Sequence, residues 1–328
     1  MNHPPVLLLG NIDSAWTPEL AAECQKEVDL MIEALRGAGH AVELIEVRRD
    51  VRGPLRGRDP RRELVFNWCE GLDGQPKAYD VVAATLEGLG FAFTGSDAWT
   101  LARTQNKADF KVILDREGIP TPRWRVFTSA HDAGEWTVYP AIVKPVAEHA
   151  SHGLSVNSVV DDVTGLRRQI DAVMDTFGVG ALAEEFIAGR EIYTSIWGNG
   201  TPQALPLHEV DFGDIDDPRR RFVDYEAKWN SESFRYQHMP ERCPADIDET
   251  LAGRVRSTAL AAYRALRCRD YGRIDLRVRD GLPYAVDVNP NCDLSPDSGF
   301  VIAANIAGYD YGAMASRIVR WAAARMPV

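Results

Sequence analysis

The chain has 328 residues, 45% hydrophobic and 26% charged, which is enough apolar material for two or three compact domains with cores of their own. A formal net charge of −11 and a pI near 5.2 argue against nucleic acid as a bulk partner, since phosphate neutralisation needs a basic face. No apolar run approaches the length of a membrane span.

Val6-Leu-Leu-Leu-Gly10 is too short, and too uncharged upstream, for a signal peptide. It reads as a first buried strand, and the expectation is a cytoplasmic protein with no membrane partner. The five cysteines (Cys24, Cys69, Cys243, Cys268, Cys292) are scattered, with no CxxC pair and no His/Cys cluster, so neither a disulfide framework nor a zinc site is supported. Cys292, inside an acidic motif, is the one cysteine with a positional claim to function; the alternative is a small space-filling residue. The basic run Arg48–Arg62 is broken by Gly53, Pro54, Gly57 and Pro60 and reads as a solvated loop.

In chain order, residues 1–95 alternate strand and helix. Strands are expected at Val6–Gly10, Ala41–Val47, Leu64–Trp68 and Phe91–Thr94, with helices at Glu19–Arg36 and Tyr79–Leu89. This is a βαβ pattern with a parallel sheet. Ser96 is placed as the N-cap of a helix that breaks near Gln105-Asn106, resumes to Leu114 and stops at Gly118-Ile-Pro-Thr-Pro122. Strands follow at 123–127, 140–145 and 155–160, then a helix Asp161–Phe177 and an apolar stretch Leu182–Ala188. Beyond Glu191, strands are expected at 191–197, 203–210, 271–279 and 283–289, with a long helix Asp246–Cys268 and helices near 298–306 and 310–325. The polar, aromatic loop 211–243 has the length of a lid. The fold class is therefore α/β, turning α+β in the C-terminal part. The expected units are 1–100, 101–188 and 189–328.

The chemistry concentrates in a few segments. Arg273 and Asp275 share one strand face, as do Asp287 and Asn289, and a hairpin at Asp280-Gly281 would bring the two pairs together. Those hard oxygen ligands suit Mg²⁺ beside a nucleotide; the same residues also fit an ordinary acidic hairpin facing water. Lys144, ending the apolar run Pro140-Ala-Ile-Val, has the reach of a phosphate ligand or of a snorkelling strand-end lysine. The loop Glu148-His-Ala-Ser-His-Gly153 is small, polar and suited to covering phosphates. Glu184 and Glu191 flank a connecting strand of the kind that holds adenine and ribose, or else mark a solvated linker. Lys228, in Asp224-Tyr-Glu-Ala-Lys-Trp229, lies where a closing lid would bring it over a γ-phosphate.

The ordered series Lys107, Lys144-Pro with its polar-Gly loop, Glu184-Glu185…Glu191, Tyr225-Glu-Ala-Lys228, Tyr271-Gly-Arg-Ile-Asp275 and Asp287-Val-Asn289 resembles the ATP-grasp superfamily, and within it the D-alanine–D-alanine ligase branch. Phe93-Thr-Gly-Ser96 and Gly118-Ile-Pro-Thr-Pro122 add to the likeness, which runs from Phe66 to Tyr311. The resemblance implies a three-domain ATP-grasp fold around a nucleotide cleft, with ATP as cofactor and two Mg²⁺ (or Mn²⁺) ions on Asp275, Asp287 and Asn289. It implies that Lys107 and Lys144 contact phosphates and that Lys228 touches the γ-phosphate. Glu184 and the backbone of Glu185, Phe186 and Ile187 would hold adenine, and Glu191 the ribose. Ser151 and Gly153 belong to the phosphate-covering loop, and Arg273 stabilises the acyl phosphate and tetrahedral intermediate. The implied reaction joins a small-molecule carboxylate to an amine; a homodimer is also implied.

The departures lie where amino acids bind. The family's Gly-Gly then Ser-x-Glu becomes Gly10-Asn-Ile-Asp13, so Asp13 is a poor substitute for the glutamate. Its loop serine and lid tyrosine become Ala150 and Trp229, and a His-Gly motif becomes Asn67-Trp-Cys-Glu70-Gly71. Its Glu-x-Asn-Thr-x-Pro-Gly becomes Asp287-Val-Asn-Pro-Asn-Cys-Asp293. Ser295, Asp297 and Ser298 are candidates for the second substrate, or for capping the helix that begins at Gly299. A coordinated change of this kind implies substrates other than two D-alanines. The alternatives are an authentic D-alanine–D-alanine ligase, a ligase that modifies peptide tails, a non-catalytic nucleotide-binding module and a simple ATPase or kinase.

Overall fold

A computed structural model describes residues 4–327. The chain opens with β1 (Val6–Asn11), whose first five residues are all buried because strands pair on both of its edges. Helix α1 (Pro18–Gly37) starts on Thr17, whose hydroxyl accepts from Leu20 N, and buries Val28, Met31, Ile32 and Leu35, a single helical stripe. Strands β2 (Val42–Val47) and β3 (Leu64–Trp68) complete a parallel sheet of order β2-β1-β3. A small hairpin of β4 (Gly71–Leu72) and β5 (Gln75–Pro76) follows, then α2 (Tyr79–Leu89). The strand expected at Phe91–Thr94 reduces to a single parallel bridge between Val65 and Phe93.

Helix α3 (Ala98–Gln105) is capped by Asp97, which accepts from Thr100 N, and not by Ser96. Ser96 is buried and its hydroxyl accepts from Arg269 N instead. Asn106 caps α4 (Lys107–Arg116). A second sheet, all antiparallel, has the order β6-β9-β7-β8, from β6 (Trp124–Phe127), β7 (Ala141–Pro145), β8 (Val159–Val160) and β9 (Ala181–Glu185). Helix α5 (Val163–Phe177) packs on this sheet through Leu166, Ile170 and Val173. The strand expected over 155–160 survives only as β8, because Ser155 caps a 3₁₀ turn over Val156–Ser158.

The third sheet builds on β10 (Arg190–Trp197). The stretch expected as one strand over 203–210 is split into β11 (Gln203–Ala204) and β12 (His208–Val210) around Pro206, which has no N–H for the ladder. The lid region holds α6 (Tyr225–Trp229), α7 (Phe234–Gln237) and β13 (Glu241–Arg242). Helix α8 (Glu249–Ala265), capped by Asp248, is shorter than the sequence expectation at both ends. Strands β14 (Tyr271–Arg279) and β15 (Leu282–Asn289) form a hairpin turning at Asp280 and Gly281, both with positive φ (52° and 72°), as a tight two-residue hairpin turn requires. Sheet order is β13-β12-β10-β14-β15. Helices α9 (Gly299–Ile306) and α10 (Tyr311–Ala323) close the chain.

Two cores position the site. Beneath the large sheet, α8 buries Ala252, Val255, Ala259 and Tyr263 against Ile192, Ile274 and Val288. Helix α4 sends Phe110, Ile113 and Leu114 into this core and not into the core of the second sheet, with which its sequence position groups it. A further core ties the N-terminal sheet and α1 to α9 and α10. At Gly189, between β9 and β10, a Cβ would lie 1.9 Å from Val278 O, so only glycine passes.

Candidate active site

A cavity of about 810 Å³ lies between the second and third sheets, roofed by the lid. Lys107, Lys144, Ser151, Glu184–Ile187, Glu191, Lys228, Arg273, Asp275, Asp287, Asn289 and Ser298 all line it. Period-2 alternation accounts for its floor: on β14, Arg273, Asp275 and Arg277 face the cavity, while Ile274 and Leu276 enter the core. The hairpin register sets Asp275 opposite Asp287 and Arg273 opposite Asn289.

The Arg273 guanidinium grips Asp275 through Nε–Oδ1 (2.6 Å) and Nη2–Oδ2 (2.8 Å) and stacks over the Tyr193 ring at 4.7 Å. Burial opposes its charge, but Asp275 holds its pKa well above the ordinary arginine value. The Asn289 amide donates to Asp275 Oδ2 at 3.2 Å. Asp287 is pushed toward neutrality by burial, yet Lys107, His149 and Lys144 hold its carboxyl at about 2. Lys107 Nζ lies 4.0 Å from Asp287 Oδ2 and donates to the Glu148 carbonyl.

Among the described residues no group of three or more His, Cys, Asp or Glu side chains could hold a metal ion. The protein offers two carboxylates and one amide oxygen, the incomplete hard-oxygen set that suits Mg²⁺ when nucleotide phosphates supply the remaining ligands. The residues present therefore fit the ion.

Glu184 is nearly fully buried and forms ion pairs with both Lys144 and Lys111. Although burial raises its pKa, the two ammoniums bring it below the ordinary glutamate value. Its side chain is thus engaged by lysines, and beside it Glu185, Phe186 and Ile187 line the cavity, with Glu185 N donating to Arg123 O (2.8 Å) and Phe186 N to Pro140 O (2.9 Å). Glu191 accepts from Tyr193 Oη (2.8 Å) and Arg277 Nη1 (2.7 Å), and Arg277 also donates to Ile187 O (3.0 Å).

The loop after β7 and the lid are clasped together. Ser151 Oγ donates to Val223 O (3.0 Å), Tyr225 N to Leu154 O (3.2 Å) and Trp229 Nε1 to Ala150 O (3.0 Å). The Ser151 hydroxyl is thereby placed in the clasp. Gly153 does not line the cavity. It has φ 81°, and a Cβ there would fall 2.6 Å from Pro145 Cγ, so its glycine is required by loop packing. Lys228 has no carboxylate within 4 Å among the described residues, and burial followed by the like charge of Arg273 lowers its pKa. Inside the lid, Arg235 Nε donates to the buried Asp224 (3.0 Å), with Nη2 on Phe222 O (2.7 Å).

The remaining substrate candidates divide. Asp13 turns back on its own loop, accepting from Ala15 N (2.9 Å), and lies outside the cavity. Glu70 and Trp229 also lie outside its lining, Glu70 close enough to Asp293 and Glu27 to feel both charges. Ser295 is buried and donates through N (2.8 Å) and Oγ (2.5 Å) to Asp293. Ser298 lines the cavity and also caps α9, accepting from Val301 N. Asp293 and Asp297 line the same end. Cys292 is buried in the wall, where loss of water raises its pKa.

Several residues escaped the sequence reading. Lys111 had a signal, four residues after Lys107 on one helix face. Arg277 had one too, continuing the alternation of Arg273 and Asp275. Arg235 and His208 had none, since their burial depends on chain segments remote in sequence.

A family model described as D-ala D-ala ligase C-terminus matches residues 113–320. A D-alanine–D-alanine ligase of Desulforudis audaxviator is 32% identical over 297 residues, covering 89% of this chain and 91% of its own. An uncharacterized protein of Sinorhizobium fredii, y4sG, is 31% identical over 298 residues, covering 89% and 85%. Among solved structures, a D-alanine–D-alanine ligase from Bacillus anthracis complexed with ATP aligns over 98% of both chains with a TM-score of 0.73 and 23% identity. The VanG D-Ala:D-Ser ligase of Enterococcus faecalis aligns over 98% of this chain and 100% of its own with a TM-score of 0.75 and 16% identity, a likeness of fold. With the family model spanning more than half of its length and relatives above 30% identity covering most of it, the chain belongs to the D-alanine–D-alanine ligase family of ATP-grasp, ADP-forming carboxylate–amine ligases.

Proposed function

We propose that this enzyme activates a small carboxylic acid as an acyl phosphate and joins it to an amine-bearing substrate other than a second D-alanine, with ATP and Mg²⁺. The observation that carries the reading is the convergence of Lys107, Lys144, Arg273, Asp275, Asp287 and Asn289 on one cavity. The three-unit division at 1–100, 101–188 and 189–328 belongs to the same reading.

Asp275, Asp287 and Asn289 would hold Mg²⁺, which supplies positive charge to the phosphate oxygens when bound. The chain's own groups do the rest. Lys107 and Lys144 orient the phosphates, the Glu185–Ile187 backbone holds the base, and Glu191, fixed by Arg277, faces the ribose. The substrate carboxylate attacks the γ-phosphorus, and the bond to the ADP oxygen breaks. Lys228 and Arg273 offset the charge that accumulates there. The amine nitrogen then attacks the acyl carbon, loses a proton, and inorganic phosphate leaves. The clasp of Ser151 on Val223 keeps water from the acyl phosphate.

Support for an altered substrate comes from the acceptor end. Asp293, Asp297 and Glu241 line it, so it favours an ammonium and opposes a second carboxylate. Trp229 occupies the position after the lid lysine and is tied to Ala150. The test is phosphate release with ATP, Mg²⁺ and an amino-acid and amine panel, with mass spectrometry of products. Amine-dependent release without D-alanyl-D-alanine is expected. Robust D-alanyl-D-alanine formation would support instead an authentic D-alanine–D-alanine ligase, the activity named for several relatives.

A further inference from the structure

Lys111 is fully buried on α4, one turn beyond Lys107, and stands behind the cavity wall instead of lining it. Its ammonium pairs with Glu184 Oε1 and donates to Thr121 Oγ1 (2.8 Å), and the Thr121 hydroxyl donates to Ala285 O (2.8 Å). Lys144, on the cavity side, pairs with the other oxygen of the same carboxylate, Glu184 Oε2. Glu184 thus bridges two ammoniums, one facing the nucleotide space and one anchored in the core.

We propose that Lys111 is a positioning residue: it is the permanent counter-charge of Glu184, and so frees Lys144 to move onto nucleotide phosphates. The inference rests on the reading of Lys144 as a phosphate ligand. A buried carboxylate stripped of its partner is strongly disfavoured. With Lys111 in place, Lys144 can leave Glu184 without stranding that charge. Without Lys111, Glu184 retains Lys144, and the nucleotide must compete with it. The local charges agree. Lys107, Lys111 and Lys144 face Glu184 and Asp287, leaving one net positive charge for phosphate. The Thr121 bond to Ala285 fixes Lys111 to β15, two residues from Asp287, so the anchored ammonium cannot follow Lys144 outward.

The test compares binding of a non-hydrolysable ATP analogue with Mg²⁺, and steady-state kinetics, in wild type, K111M, K144A and the double variant K111M/E184Q. K111M is expected to weaken the analogue and raise KM for ATP by about tenfold or more, with KM for the carboxylate substrate unchanged. K111M/E184Q, which removes both charges, is expected to bind at least about tenfold tighter than K111M. Wild-type affinity in K111M, or a double variant as weak as K111M, would overturn the proposal. Should K111M not fold, the double variant is compared with K144A, and binding no tighter than K144A overturns it. If K144A itself binds like wild type, the phosphate reading of Lys144 fails, and with it the proposal. A weakened K144A beside an unaffected K111M refutes Lys111's role alone.

Discussion

Arg273 and Asp275 are locked together on the cavity face of β14, two hydrogen bonds of 2.6 and 2.8 Å joining guanidinium to carboxylate. The anion-stabilising cation and one candidate metal ligand are therefore a single rigid unit, with Asn289 attached to the same carboxylate. Planar bidentate pairing needs arginine specifically. Arg273→Met is expected to lower kcat by about 100- to 1000-fold, the range for removal of a group aimed at developing negative charge. Arg273→Lys should recover only a small part, because the point charge cannot hold Asp275 in the same plane. Phosphate-release kinetics, with circular dichroism to confirm folding, check both.

Asp287 is kept ionised far below neutral pH by Lys107, His149 and Lys144 despite burial. Replacing it with asparagine removes a hard anionic ligand and leaves Lys107 without its carboxylate neighbour. The expected result for Asp287→Asn is a fall in kcat/KM for ATP of about 100-fold or more and a higher Mg²⁺ requirement. A Mg²⁺ titration of initial rates measures both, and activity unchanged from wild type would contradict the assignment.

Arg235 and Asp224 form a buried ion pair that holds the lid's own fold, at 5% and 1% exposure. Removing one member strands the other. Arg235→Ala is expected to cost the lid about 3–5 kcal/mol of local stability. Because the lid is clasped to the loop over Ala150–Leu154, KM for ATP should rise while the two cores remain intact. Limited proteolysis should show faster cleavage within 211–243, with little change in the main thermal transition.

His208 is 2% exposed, and neither ring nitrogen has a hydrogen-bond partner. Burial, then the nearby Arg273 charge, lowers its pKa to about 4. The unfolded chain, with an ordinary histidine, binds its proton at higher pH than the folded one. Stability from this group is therefore complete above about pH 6.5 and is lost as pH falls toward about 4, amounting to roughly 3 kcal/mol. Denaturant unfolding of wild type and His208→Leu at pH 7.5 and pH 5 checks the sign, since the leucine variant should lose less stability on acidification.

Much of this arrangement is legible in the sequence. The hairpin at Asp280-Gly281 and the shared faces of Arg273, Asp275, Asp287 and Asn289 follow from period-2 alternation and a two-residue turn, both local rules. The N-terminal parallel sheet follows from alternating apolar runs and helices. Less local features did not. Ser96 reads as a cap, but Asp97 takes that place because Ser96 is buried against Arg269. Glu184 reads as an adenine contact by resemblance, while two lysines from different elements occupy its carboxylate. Asp13, as a substitute substrate ligand, folds back on Ala15 and misses the cavity.

The sequence by itself determined the longer elements, the family and the order of the charged residues, because turn residues and side-chain periodicity act over a few neighbouring positions. Only the tertiary structure decided which charges meet. Lys111 from α4, Glu184 from β9 and Lys144 from β7 converge because α4 packs under the third sheet while β7 and β9 pair in the second. That pairing energy depends on burial and distance, which no local pattern encodes.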